Sequence, residues 1–284
     1  IFEKKLYEGR TVKQSFRILF KMRLINYFHR LMCALYFYPK INVHFDCDQS
    51  RIDLINRSIS KKIDKIIPFF KLSYYEKIIR INSKDYSDFL KLKQKKIEKK
   101  YITLCDSPMA HDDFLLRDGP YNISEVEKYY KNLFFFLKKI EKIFNKKLII
   151  CLHPKGKYKH FKNFKLIKDN FKTVYFKTDY YITKSYLVLN VISSTMNLAT
   201  ILNKPVIILK SKYYGNTVKG KIENILNELD YPSINIDNFK KENIHRVLKK
   251  NNSKKIKLYK KNRLFFEKNI SDIQQIINFF KKNS

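Results

Sequence analysis

Glycine and proline are scarce in this chain, at 5 and 7 of 284 residues. No glycine-rich phosphate loop, G-x-S-x-G elbow or H-E-x-x-H helix occurs, so nothing supports the chemistry those motifs carry. The four cysteines, Cys33, Cys47, Cys105 and Cys151, are widely spaced and form no C-x-x-C pair, which leaves zinc and dithiol sites without support. Cys105 and Cys151 sit inside apolar runs, where a buried free thiol is the default and fits a reducing cytoplasm. No run of 18 apolar residues exists to span a membrane, and residues 31–38 (LMCALYFY) are short enough to read as core. Acidic residues are also few, with 26 Asp and Glu against 60 Lys and Arg and a formal charge of +34.

That charge has two readings. The excess is mostly lysine, in a chain rich in Ile, Asn, Phe and Tyr and poor in Ala, which is the profile of an AT-rich coding sequence drifting on solvated faces. The functional reading is attraction to an anionic ligand or an anionic membrane surface. Nucleic acid is the weakest candidate partner, because bidentate recognition of bases and phosphates favours arginine and no nucleic-acid motif is present. The expected location is the cytoplasm, with peripheral attachment at the inner membrane face as the membrane reading requires.

At this length the chain can hold two modest domains with real cores. It opens on Ile1 rather than Met, so the first domain, 1–100, is expected to be incomplete. Apolar residues recurring at three and four predict a helix over 1–38, ended by Pro39. KINVHF (40–45) alternates as a strand and is followed by the acidic turn Asp46–Cys47–Asp48. A helix is expected over 53–67, stopped at Pro68. Residues 71–100 are charged and low in complexity, and their end is taken as a linker.

From 101 the pattern changes to short apolar runs separated by helical segments. Strands are expected at 101–105 (YITLC), 148–152 (LIICL), 173–176 (TVYF), 186–191 (YLVLNV) and 206–209 (VIIL). Ser124 with Glu127 reads as a capping box opening a helix to about 144. A short helix is expected over 179–184 and another from the serine motif to 202. This alternation predicts an α/β domain, 101–239, with a parallel sheet covered on both faces, whose ligands bind beyond the carboxyl ends of the strands. Residues 240–284 form a lysine-rich amphipathic helical tail with Ile273, Ile276, Ile277 and Phe280 on one face.

Two polar motifs fall at strand ends. His153–Pro154–Lys155 follows LIICL; the proline ends the strand, and the histidine there can donate to a phosphate oxygen or serve as a general acid, with Lys155 as a point charge. A surface histidine beside a turn proline is the plain alternative. Ser193–Ser194–Thr195 follows YLVLNV and opens a helix, where hydroxyls and backbone N–H groups can meet a phosphate or simply cap the helix. A third polar segment, the loop DSPMAHDDFLLRDG (106–119), offers Asp112 and Asp113 as candidate general bases; His111 beside them hints at a metal, but no further ligand pattern supports one. A solvated acidic loop is the alternative, and Asp46 and Asp48 are a second candidate base site.

The order strand, His-Pro, helix, strand, Ser-Ser-Thr, helix, then Lys204–Pro205 before VIIL resembles the nucleotide-binding half of GT-B-type glycosyltransferases of bacterial surface polysaccharides. His-Pro and Ser-Ser or Ser-Thr motifs of this kind occur in bacterial sialyltransferases, Kdo-transferase-like capsule proteins and teichoic-acid glycerophosphotransferases. The resemblance covers residues 101–209. It implies a Rossmann-type C-terminal domain, a smaller acceptor-side N-terminal domain, and a cytidine-activated sugar as donor substrate with no separate cofactor or metal. It places His153, Pro154, Lys155, Ser193, Ser194 and Thr195 at the donor phosphate, with a glycan or glycolipid as acceptor. Some relatives carry an acidic-acidic-glycine motif with the base. Here Asp112–Asp113 lacks the glycine, and Asp118–Gly119 is preceded by Arg117. Polyol-phosphate transfer at the same donor site and a non-enzymatic basic scaffold are the competing readings.

Overall fold

The computed structural model describes residues 41–56, 75–92, 99–107, 109, 118, 122–156, 158–240, 253–265 and 267–283. The helix expected over 1–38 and loop residues His111, Asp112, Asp113 and Arg117 lie outside them. Among the described residues the chain forms two compact units, one of 92–257 and one of 41–91 with 258–283.

In the smaller unit, β1 (Ile41–Asp46), α1 (Gln49–Asn56), β2 (Tyr75–Arg80) and α2 (Lys84–Leu92) follow in order. β1 and β2 pair in parallel, from Ile41↔Tyr75 to Asp46↔Arg80. β2 falls in the stretch read as low in complexity; in YEKIIR charged and apolar residues do not alternate, so the period-2 signal is blurred. α1 begins at Gln49, earlier than expected, because Asp48 caps it. The Asp48 carbonyl accepts from the Ile52 amide at 3.0 Å, and its carboxylate accepts from the Arg51 amide at 3.4 Å.

The C-terminal segment of this unit is held by one buried side chain. Asn82 Nδ2 donates to the carbonyls of Glu267 (2.6 Å) and Ile270 (2.8 Å), while its Oδ1 accepts from the Glu267 amide at 3.0 Å. Its own amide donates to Gln275 Oε1 at 2.6 Å. Ser87 bonds Asp272, and Arg263 pairs with Asp48 at 2.7 Å. The C-terminal helix, Asp272–Asn283, leaves Ile273, Ile277 and Phe280 exposed, and among the described residues no helix is long and apolar enough to cross a membrane.

The larger unit is built on six strands: β3 (Tyr101–Cys105), β4 (Leu148–Cys151), β5 (Lys172–Val174), β6 (Ser185–Asn190), β7 (Val206–Lys210) and β8 (Ser233–Asn235). They form one all-parallel sheet in the spatial order β5-β4-β3-β6-β7-β8. Counted within the sheet, that order is third, second, first, fourth, fifth, sixth, as in Rossmann-like nucleotide-binding folds. β8, only Ser-Ile-Asn, was not expected. The helices are α3 (Ile123–Phe144), α4 (Lys162–Asn170), α5 (Thr178–Thr183), α6 (Met196–Ile201) and α7 (Asn216–Leu229).

Side-chain alternation on β3 shows how the helices divide. The Thr103 hydroxyl bonds the Ser185 hydroxyl at 2.5 Å beside the Tyr181 carbonyl of α5, so residues 103 and 105 face α5 and α6. Residues 102, 104 and 106 face the other way, toward α3. α3 buries Val126, Tyr129, Tyr130, Leu133, Phe136, Leu137 and Ile140, a stripe at helical spacing. The expected capping box is not formed. Asn122 caps α3 by accepting from the Ser124 amide, and Glu127 instead accepts from the Lys162 and Asn163 amides, both at 2.7 Å. A carboxylate gains more at the open N–H groups of α4, whose cap position is Phe161 and supplies no side-chain bond.

Removing the Asn82 side chain takes the partner from two carbonyls and one amide in part-buried bonds. We expect Asn82→Ala to destabilise the smaller unit by about 1–3 kcal/mol and to expose the 258–283 segment to protease. Denaturant unfolding and limited proteolysis of the full chain check this; unchanged stability and unchanged protection would remove Asn82 from that role.

Candidate functional site

β3 is bonded to β4 on one side, with Cys105 opposite Cys151, and to β6 on the other, with Cys105 opposite Asn190. The carboxyl ends of β4 and β6 are therefore two strand spacings apart, roughly 10 Å. His153 follows the first and Ser193 the second, so both motifs leave the same edge of one sheet, around the strand where the strand order reverses. Fold rules place ligands at this crevice.

The His153–Lys155 segment is a tight turn. The Gly156 amide donates to the His153 carbonyl at 2.9 Å, and Pro154 and Lys155 are exposed. The Lys155 amide donates to His153 Nδ1 at 3.3 Å. With Nδ1 used as an acceptor, the neutral ring carries its proton on Nε2.

The turn is built around Tyr158. Its hydroxyl accepts from the His153 amide at 2.9 Å, and its ring, stacked on Phe164 at 4.5 Å, fills the space beside Gly156. A Cβ at Gly156 would lie 2.2 Å from the Tyr158 Cε2, which requires glycine at this close approach. A cavity of about 410 Å³ opens beside the turn, between α4 and the end of β5, with Leu152, Phe161, Tyr175, Lys159 and Lys165 in its wall. Its size is that of small-molecule sites.

In the serine motif, the Ser193 and Thr195 hydroxyls bond each other at 2.8 Å, and Thr195 lies close enough to the Cys105 thiol to favour its ionised form. Thr195 occupies the cap position of α6 without a side-chain capping bond. Ser194 is exposed. The motif's Ser193 and Thr195 hydroxyls thus bond each other rather than cap their own helix. Burial pushes the Cys105 thiol up to about 12 and raises that of Cys151 further, so both are inert thiols at neutral pH.

Polar groups without partners gather at this edge. Asp106, the first residue after β3, is 4% exposed, and Asn190, the last of β6, is fully buried. Neither carboxylate oxygen of Asp106 and neither amide atom of Asn190 has a hydrogen-bond partner. The Tyr158 hydroxyl and the Ser107 amide lie close enough to Asp106 to favour its charged form, but short of ordinary hydrogen-bond geometry. Burial outweighs them and pushes its pKa up to about 6. The sequence reading passed over Asp106, Asn190 and Tyr158 in favour of the acidic residues later in the loop. The available signal was an acid placed directly after a strand that is apolar but for Thr103.

Other residues named from sequence have structural partners. Asp118 caps α7: its Oδ1 accepts from the Thr217 amide (2.8 Å) and hydroxyl (2.5 Å), and a Cβ at Gly215 would lie 2.2 Å from its Oδ2. Lys204 is buried at the opposite edge of the sheet and donates to the Ser185 carbonyl at 2.8 Å, with burial bringing its pKa down to about 8. In the smaller unit Asp46 pairs with Arg51 and Asp48 with Arg263, so the alternative base site is occupied by ion pairs. Among the described residues no three His, Cys, Asp or Glu side chains come together as a metal site requires.

An acid whose pKa is higher in the folded chain than in the unfolded one favours folding at low pH and loses that contribution as pH rises through its folded value. Relative to Asp106→Asn, we expect the wild type to lose on the order of 2–3 kcal/mol between pH 4 and pH 7.5. Urea unfolding of both proteins across that range measures the difference, and parallel curves would place Asp106 in a better-solvated setting. No family model matches this chain, and no curated protein matches it.

Proposed function

We propose that the larger unit binds a nucleotide-activated sugar at the edge formed by β3, β4 and β6, and that the protein is a GT-B-type glycosyltransferase with a cytidine-linked donor. The observation that carries this reading is the exit of the His153 turn and the Ser193–Thr195 segment from the two strands flanking β3. The His153 Nε2–H donates to a donor phosphate oxygen, the Ser194 hydroxyl and neighbouring amides meet a second oxygen, and Lys155 offsets charge as the nucleotide leaves. The cavity beside Tyr158 accommodates the nucleoside, its lysines suiting an anionic ligand. In the reaction an acceptor hydroxyl attacks the sugar's anomeric carbon, the bond from that carbon to the phosphate oxygen breaks, and the hydroxyl proton passes to a carboxylate. Asp112 and Asp113 are the proposed bases.

Calorimetry with CMP and CDP tests this on the full chain, with the guanosine and adenosine nucleotides as controls. A hydrogen bond to a charged group contributes roughly 1.5–3 kcal/mol, so His153→Ala should weaken cytidine-nucleotide binding about 10- to 100-fold at unchanged melting temperature. Ser194→Ala should lose less, because backbone amides remain. His153→Gln, whose side-chain amide can replace Nε2–H, should recover part of the loss. A His153→Ala protein that binds normally but melts earlier would make the histidine a structural residue, and a chain that binds no nucleotide would end the donor-site reading.

A further inference from the structure

The cavity beside the His153 turn has an apolar floor, a basic rim and an aromatic lip. Leu152, Phe161 and Phe164 are each 5% exposed or less and, with the Tyr158 ring, close its bottom. Lys159, Lys165 and Lys168 stand exposed along its wall, against one acid, Asp169. Tyr175, just past the end of β5, lines the cavity and is 44% exposed, so its ring stands at the mouth. Phe176 comes next, its ring centroid 6.4 Å from that of Tyr175. At 81% it is the most exposed large apolar side chain among the described residues. Its φ is 56°, a left-handed backbone that a bulky aromatic rarely adopts. The other non-glycine residues with positive φ among the described residues are Asn145, Asn203, Asp230 and Asn269, all of the two types that tolerate it. Folding therefore gains little from Phe176, whose ring is held in water on a strained backbone beside a cavity of ligand size.

We propose that Tyr175 and Phe176 form a stacking platform for the base of a nucleotide, and that Lys159, Lys165 and Lys168 draw in its charged end. A flat ring stacks on aromatic faces whatever groups its edge carries. The apolar floor covers such a ring, and the excess of cations matches the charge on the same ligand. A simple phosphate would leave the lip and the floor unused, and an uncharged apolar ligand would leave the lysines unused. Leu152 directly precedes His153, and the Tyr158 hydroxyl accepts from the His153 amide, so the cavity and the turn share a wall. A base seated on the lip keeps its phosphate on the side of the turn. This inference rests on the nucleotide reading above and adds the residues that hold the base.

The chain has no tryptophan, so Phe176→Trp places a single indole fluorophore at the lip. CMP should quench it, and ribose 5-phosphate, which carries the phosphate without the base, should not. Phe135→Trp, at a position 53% exposed on α3 and outside the cavity wall, should respond to neither. In calorimetry on the full chain, Tyr175→Ala with Phe176→Ala should bind CMP about 5- to 50-fold more weakly and leave ribose 5-phosphate binding unchanged. Lys165→Gln with Lys168→Gln should weaken both ligands. Phe176→Gly should bind CMP more weakly yet melt no earlier than the wild type, because glycine accepts a φ of 56°. An indole at 176 that CMP binding leaves unquenched, or a double alanine variant that binds CMP as tightly as the wild type, overturns the stacking site and leaves the donor site at the His153 turn standing. Losses at the lip with normal CMP binding in His153→Ala support the stacking site and overturn the donor-phosphate role of the histidine. A wild type that binds none of CMP, GMP and AMP overturns both.

Discussion

β3 is bonded along both edges and covered on both faces, and the chain reverses its direction of travel across the sheet at this strand. Ile102, Thr103 and Leu104 are fully buried, which requires a continuous apolar run with its one hydroxyl satisfied internally. Strands added in sequence first build outward on one side, through β4 and β5, and then restart on the other with β6. The connections on the two sides diverge, and the crevice between them is where the His153 turn and the serine motif meet. Without that central strand the two motifs would be unrelated polar turns.

The two ends of the sheet treat polar groups differently. At the amino end the polar side chains are satisfied: Thr103 bonds Ser185, Ser185 bonds the Tyr181 carbonyl, and Lys204 bonds the Ser185 carbonyl. At the carboxyl end Asp106 and Asn190 are buried without partners. An unmade buried hydrogen bond costs about 1–3 kcal/mol, and this fold tolerates several on one edge while avoiding them on the other. Such an imbalance is the usual signature of an edge shaped for something besides stability.

The apolar runs YITLC, LIICL, YLVLNV and VIIL were legible as strands because burial on both faces leaves few polar positions within them, Thr103 and Asn190 alone. TVYF (173–176) starts one residue and ends two residues after β5 (172–174), and β8 was missed, since a three-residue edge strand has too little pattern to read. His153 and Ser193–Thr195 were legible because a proline or a cluster of hydroxyls stands directly after a run. Asp106 was not, because its burial depends on Tyr129, Tyr158 and Tyr214, which three separate segments bring to it. Glu127 was assigned to its own helix for a related reason: local spacing cannot show that the open amides of α4 lie within its reach. The charge pattern of 258–283 likewise carries no sign that Asn82 binds this segment.

That last contact divides one compact unit between distant parts of the chain. Among the described residues the larger unit is continuous, within 92–257, and can close once those residues have left the ribosome. The smaller one cannot. Asn82, Ser87 and Asp48 precede the larger unit in the chain, while their partners Glu267, Ile270, Asp272 and Arg263 follow it. β1, β2 and their helices must therefore wait through the making of the whole larger unit with their polar partners missing. During that interval residues 41–91 are the part of this unit most dependent on chaperones.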